Sequence, residues 1–135
     1  MRKNINELKA KLVATYLSKG VQPSDLSDAL FEKGYVDSSI KRTDDSVLVT
    51  LSFIDDFDTI KKAKHTMRYT YDLNRYLQKI EQKIKGRSFK VQFCREEAIN
   101  SILRDLLAAG CSLSALESLP PELKGRYQQY FVSAA

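Results

Sequence analysis

Lys61, Lys64, His65, Arg68, Arg75, Lys79 and Lys83 follow one another at intervals dominated by three, four and seven residues. On a helix such intervals line side chains along one side, and Lys85, Arg87 and Lys90 extend the run. Ammonium and guanidinium groups in a row hold polyanions, because they neutralise phosphates and release the counterions condensed on them. Residues 57–95 carry eleven Lys/Arg against three Asp/Glu, a local net of +8 in a chain whose total is +5. The flanking segments are slightly acidic, −1 over residues 1–56 and −2 over residues 96–135. A field of that polarity favours nucleic acid first and an acidic protein or lipid surface after it. A solvated helix surface is also often rich in lysine. The local imbalance and the clean stripe favour the functional reading. The candidate phosphate contacts are Lys61, Lys64, Arg68, Arg75, Lys79, Lys83, Lys85, Arg87 and Lys90, with DNA expected before RNA. Tyr69, Tyr71 and Tyr76 lie among them and can pack or stack, Tyr71 nearest the basic edge.

Groups that could carry a reaction are few. His65 is the single histidine and cannot form a histidine cluster. Tyr127 and Tyr130 would suit a nicking enzyme with paired nucleophiles, but the metal sites of such enzymes use several histidines. Cys94 and Cys111 stand seventeen apart with no second pair, so zinc is not expected. Asp55, Asp56 and Asp58 ahead of Lys61 would suit a Mg²⁺ nuclease, yet carboxylates at the start of a helix explain them more simply. The five glycines are scattered singly and form no phosphate loop. The expectation is therefore a non-enzymatic protein with no cofactor and no metal. Its partner is nucleic acid or, alternatively, an acidic protein met by an adaptor or inhibitor, and a homodimer stays open.

The elements that would position these residues follow from periodicity. Residues 57–86 read as one long helix, with Ala63, Met67, Leu73, Leu77, Ile80 and Ile84 as the apolar stripe and Gly86 as its end. Residues 4–19 read as a first helix ended at Gly20, and Pro23, Ser24 and Asp25 open a second that closes at Gly34. Val36, Ser38, Ile40 and Arg42 alternate as a strand over 36–42. Val47, Val49, Leu51 and Phe53 form the apolar face of a second strand over 46–54, and Phe89, Val91 and Phe93 that of a third over 88–94. Residues 96–109 form a helix with Ala98, Ile102, Leu103, Leu106 and Leu107 inward, ended at Gly110. A short helix LSALESL and a frayed final helix PELKGRYQQYFV, weakened by Gly125, complete the chain. The expected fold is α+β: a small three-stranded sheet packed by the long amphipathic helix, with a helical hairpin at 4–34, a core at 36–94 and C-terminal helices at 96–133. One domain is expected over 1–135, since no linker or low-complexity segment divides it.

Two local resemblances bear on partners. If residues 36–42 were instead a helix capped by Asp37, Gly34 and Ile40 would have the separation seen in phage-repressor-like helix-turn-helix motifs; such a helix would be only about six residues long, and the strand is preferred. Residues 88–119 (the strand SFKVQFC, the helix EEAINSILRDLLAAG and the turn GCSLS into a second helix) resemble ribbon-helix-helix DNA-binding proteins. That resemblance implies a dimer whose paired strands enter the major groove, with Lys90 and Gln92 as readers and Gly110 and Ser112 setting the turn. No apolar run reaches the roughly 18 residues of a membrane span. The segment MRKNINELKAKL has no continuous apolar stretch, so a signal peptide is not expected. Two cysteines then read as reduced thiols in a cytoplasmic protein.

Overall fold

The structure, a computed structural model, describes residues 4–54, 63–112 and 114–134. Helices α1 (Ile5–Leu17) and α2 (Pro23–Asp28) are followed by a 3-10 turn, Ala29–Phe31. Strands β1 (Tyr35–Arg42), β2 (Ser46–Ile54), β3 (Lys64–Asp72), β4 (Leu77–Ile84) and β5 (Lys90–Cys94) come next. Helix α3 (Arg95–Ala108), a second 3-10 turn (Ser114–Leu116) and α4 (Pro121–Ala134) complete the chain. The strands form one five-stranded antiparallel meander in the order β1-β2-β3-β4-β5. The class is α+β, and no helix among the described residues is long and apolar enough to cross a membrane.

The expected three-stranded sheet under a long helix is overturned, because the segment read as that helix is the hairpin β3–β4. His65, Met67, Tyr69 and Tyr71 alternate with Thr66, Arg68 and Thr70, a period of two carried largely by Thr and Tyr, which fit a pleated surface. The helical-looking interval from Leu77 to Ile80 comes from a bulge. Tyr71 pairs with Leu77 and Thr70 with Lys79, which leaves Gln78 as the extra residue. Leu77 and Ile80 thereby reach one face although they are three apart. The turn is closed by Asp72, whose Oδ1 accepts from the amides of Asn74 at 3.0 Å and Tyr76 at 2.9 Å. Arg75 completes it at φ 74°. A positive φ at a residue with a Cβ is incompatible with a continuous right-handed helix. Leu73, assigned to the buried stripe, is exposed in this turn. The aspartates expected to cap the helix, Asp55, Asp56 and Asp58, lie outside the described residues.

Chain contacts gather into two compact units, Met1–Ser18 with Glu96–Ala135, and Lys19–Arg95. The boundary separates α1 from α2, the two halves of the expected N-terminal hairpin. The helical unit packs Leu8 and Leu12 of α1, Ile99, Ile102, Leu103 and Leu106 of α3, and Leu123 and Tyr127 of α4 around Cys111 and Leu119. Helix α3 ends at Gly110 as expected: the Gly110 amide bonds to the Leu107 carbonyl and the Cys111 amide to that of Leu106, a Schellman cap needing the φ of 77° that glycine supplies. The second helix expected over LSALESL reduces to the three-residue 3-10 turn, so the ribbon-helix-helix unit is not formed. The sheet unit packs Leu26 of α2 on Val49, Leu51, Tyr71 and Leu77.

Candidate nucleic-acid interface

Antiparallel register assigns every strand residue to a face. Ser52 pairs with Thr66 and Thr66 with Lys83; Thr50 pairs with Arg68 and Arg68 with Glu81; Leu48 pairs with Thr70 and Thr70 with Lys79. Asp37, Ser39 and Lys41 of β1 stand opposite Ser52, Thr50 and Leu48 on that same face. One side of the sheet therefore presents Lys41, Lys64, Arg68, Lys79 and Lys83 among the hydroxyls of Ser39, Thr50, Ser52, Thr66 and Thr70. Val49, Leu51, Tyr69, Tyr71 and Ile80 take the other side, where α2 covers part of it. The basic residues are gathered by a two-residue period, which explains why Lys79, Glu81 and Lys83 share a face. The sequence carries that signal as KxExK, and the helical template hides it.

The cations divide into two kinds. Arg68 is committed within the fold: its Nε and Nη2 donate to the two carboxylate oxygens of Glu81 at 3.0 and 3.1 Å, and its guanidinium lies 4.0 Å from the centroid of Phe89. The fork-to-fork hydrogen bond holds the Glu81 carboxyl below its ordinary range, against the opposing effect of burial. Lys83 also lies over Phe89, 5.2 Å from its centroid. Lys64 and Lys85 are tied through the backbone, the Lys85 amide donating to the Lys64 carbonyl at 3.0 Å. Lys64, Lys83 and Lys85 then line one open cavity of about 550 Å³ with Ile54, Thr66 and Gly86. No carboxylate among the described residues lines it or pairs with these three ammonium groups. Thr66 shares a hydrogen bond of 3.0 Å with the buried Ser52 hydroxyl, which fixes the hydroxyl at the cavity wall.

The remaining expected contacts are dispersed. Arg75 is in the β3–β4 turn, at the other end of β3 from Lys64, and lines a cavity of about 470 Å³ with residues including Arg42, Gln22 and Tyr71. Arg87 and Lys90 line a small cavity of about 160 Å³ with Gln82, Ile84, Ser88 and Gln92. Lys90 pairs with Gln82 and so belongs to the face opposite Lys64. Lys61 lies outside the described residues. His65, read as part of the stripe, stacks on Phe53 at 5.1 Å and 6° on the apolar side and shares a hydrogen bond with Gln82.

The tyrosines are likewise absent from the basic face. Tyr71 is buried, donates to the Val21 carbonyl at 2.6 Å, and has its hydroxyl pushed up to about 12, chiefly by burial. Tyr76 receives the cations of Arg95 at 4.8 Å and Lys19 at 5.5 Å. Tyr127 is fully buried and donates to the Cys111 carbonyl, which removes it as an accessible nucleophile. Cys94 and Cys111 are both free thiols, and burial raises the pKa of Cys111. Among the described residues no group of His, Cys, Asp and Glu is arranged to hold a metal ion. Comparisons with protein-family models, with curated proteins and with solved structures return no match.

Proposed function

We propose that this chain is a non-enzymatic nucleic-acid-binding protein whose basic sheet face takes phosphates, DNA before RNA. The observation that carries the reading is the cavity shared by Lys64, Lys83 and Lys85, three ammonium groups with no carboxylate partner among the described residues. Like charges brought together repel one another, and a polyanion relieves that repulsion while releasing its own counterions. Lys79 and Lys41 extend the positive track along the face, and the Thr50, Thr66 and Thr70 hydroxyls supply neutral donors to phosphate oxygens. Arg68 serves as a positioning residue, neutralising Glu81 so that the one carboxylate of β4 does not repel the strand of phosphates. Two free thiols fit a protein of the reducing cytoplasm.

The test replaces Lys64, Lys83 and Lys85 together by glutamine and measures binding to duplex and single-stranded DNA at several salt concentrations. Melting temperature should stay within a few degrees, because Lys64 and Lys85 are exposed, Lys83 is half-buried, and surface charges contribute little to stability. Affinity should fall, and the slope of log affinity against log salt should shrink by about 0.9 per lost contact on duplex DNA and about 0.7 on single strands. Equal affinity in the parent and the triple variant sinks the reading. Failure of both to bind any nucleic acid at low salt moves the same face to an acidic protein partner.

A further inference from the structure

Among the described residues one long edge of the sheet has no neighbouring strand. There β1 pairs with β2 alone, spans eight residues, and is exposed from Val36 to Arg42. The two most exposed large apolar side chains described in the sheet unit lie on or beside it, Phe31 at 92% and Ile40 at 67%. β5, at the opposite edge, has only five residues, the usual protection of an edge by brevity.

The phase of the β1–β2 ladder decides which groups face outward. The Thr43 amide donates to the Ser46 carbonyl at 2.8 Å, so Thr43–Ser46 is a hydrogen-bonded pair. Alternation makes Lys41–Leu48, Ser39–Thr50 and Asp37–Ser52 bonded pairs as well. The amides and carbonyls of Ser38, Ile40 and Arg42 then turn to the free edge. A second copy of β1 running antiparallel about a two-fold axis at Ser39 meets those groups in phase. Ser38 faces Ile40 of the other copy in a hydrogen-bonded pair, and Asp37 faces Lys41 in a closely spaced non-bonded pair. That register places two opposite-charge pairs across the seam. Moving the two-fold axis to Ser38 or Ile40 separates Asp37 from Lys41, and a parallel in-register arrangement sets like charge on like.

We infer that β1 is a self-complementary interface and that two copies of this chain join through it into one continuous ten-stranded sheet. The charges that would guard this edge against foreign strands select its own sequence. A two-fold axis through an antiparallel strand pair runs perpendicular to the sheet, so both basic faces look the same way. The occupant is identified by charge complementarity and hydrogen-bond phase together, neither of which depends on the nucleic-acid reading.

The inference is tested by sedimentation equilibrium of the full chain across a wide concentration range. The parent should approach twice its mass of 15.4 kDa as concentration rises. Asp37→Lys and Lys41→Asp should each weaken association by about tenfold or more, because like charges then face one another across the seam, and the double variant should restore it. Ser39→Cys, at the axis, should form an intermolecular disulfide under mild oxidation, since non-bonded antiparallel pairs lie about 4.5 Å apart at Cα; Val91→Cys should not do so above background. In the parent protein the Ser38 and Ile40 amides should gain protection from hydrogen exchange with concentration. A parent that stays monomeric at all concentrations, or single variants that associate as well as the parent, would overturn the inference, as would a double variant with no recovery.

Discussion

At the residue scale, the Arg68–Glu81 pair couples the basic face to pH. The Glu81 carboxyl is held below its ordinary value of 4.5, first by its hydrogen bonds from Arg68. A depressed carboxylate pKa means that the unfolded chain takes up this proton before the folded one, so the stabilisation is complete above pH 4.5 and fades as pH falls through the folded value. The side chains are 33% and 12% exposed, and solvent screening limits the contribution to about 1 kcal/mol. Glu81→Gln should therefore cost about that much at pH 7 and progressively less as acid protonates the parent carboxyl. Urea unfolding at pH 7 and pH 3.5 checks this; a cost that does not change with pH would mean that the pair contributes through packing alone. The same variant frees Arg68 and removes a negative charge from the face, so its DNA affinity should rise.

At the scale of elements, one residue separates the helix that periodicity suggests from the hairpin that forms. Arg75 sits at φ 74°, a conformation that costs an L-residue roughly 1–2 kcal/mol and a glycine little. Arg75→Gly should therefore raise stability by about 0.5–1 kcal/mol if the hairpin turn is there. In the interior of a helix the same change would lower it by about 1 kcal/mol. Thermal melts with calorimetry decide by sign. The contrast also explains what was legible in the chain. The strand at 46–54 and the helix ended at Gly110 announce themselves through clean alternation or a capping glycine; the strand read over 88–94 forms as Lys90–Cys94, and 36–42, where a short helix is the alternative, forms as the strand Tyr35–Arg42. The pair β3–β4 does not announce itself, because the bulge at Gln78 shifts Leu77 into a three-residue interval with Ile80 and imitates a helical stripe. The local turn chemistry of DLNRY, an aspartate that closes on two amides, was the stronger signal. The site suffered accordingly. Lys64, Arg68, Lys79 and Lys83 share a side under either template, whereas Arg75, Arg87 and Lys90 part from them only once strands and turns are recognised, and Phe89 and Thr66 join only then.

At the scale of the whole molecule, charge and association are linked. The net +5 understates the local field, because residues 57–95 concentrate +8 and the sheet turns much of that charge to one face. Two copies joined at β1 would double the number of lysines facing one duplex, and a bivalent footprint binds more tightly than either half. Asp37→Lys separates this effect from simple electrostatics. The substitution replaces a negative charge by a positive one on the same face, so charge alone makes DNA affinity rise and steepens its salt dependence. Loss of the dimer does the reverse, removing half of the phosphate contacts made at once. The expected outcome is weaker binding by Asp37→Lys than by the parent at moderate salt, with a shallower slope, and tighter binding than the parent by Asp37→Lys combined with Lys41→Asp is not expected, since that pair leaves net charge unchanged. Fluorescence anisotropy with a duplex long enough for both copies, repeated with one too short for two, measures the difference. If Asp37→Lys binds the long duplex more tightly than the parent, the basic face acts one copy at a time and association plays no part in holding nucleic acid.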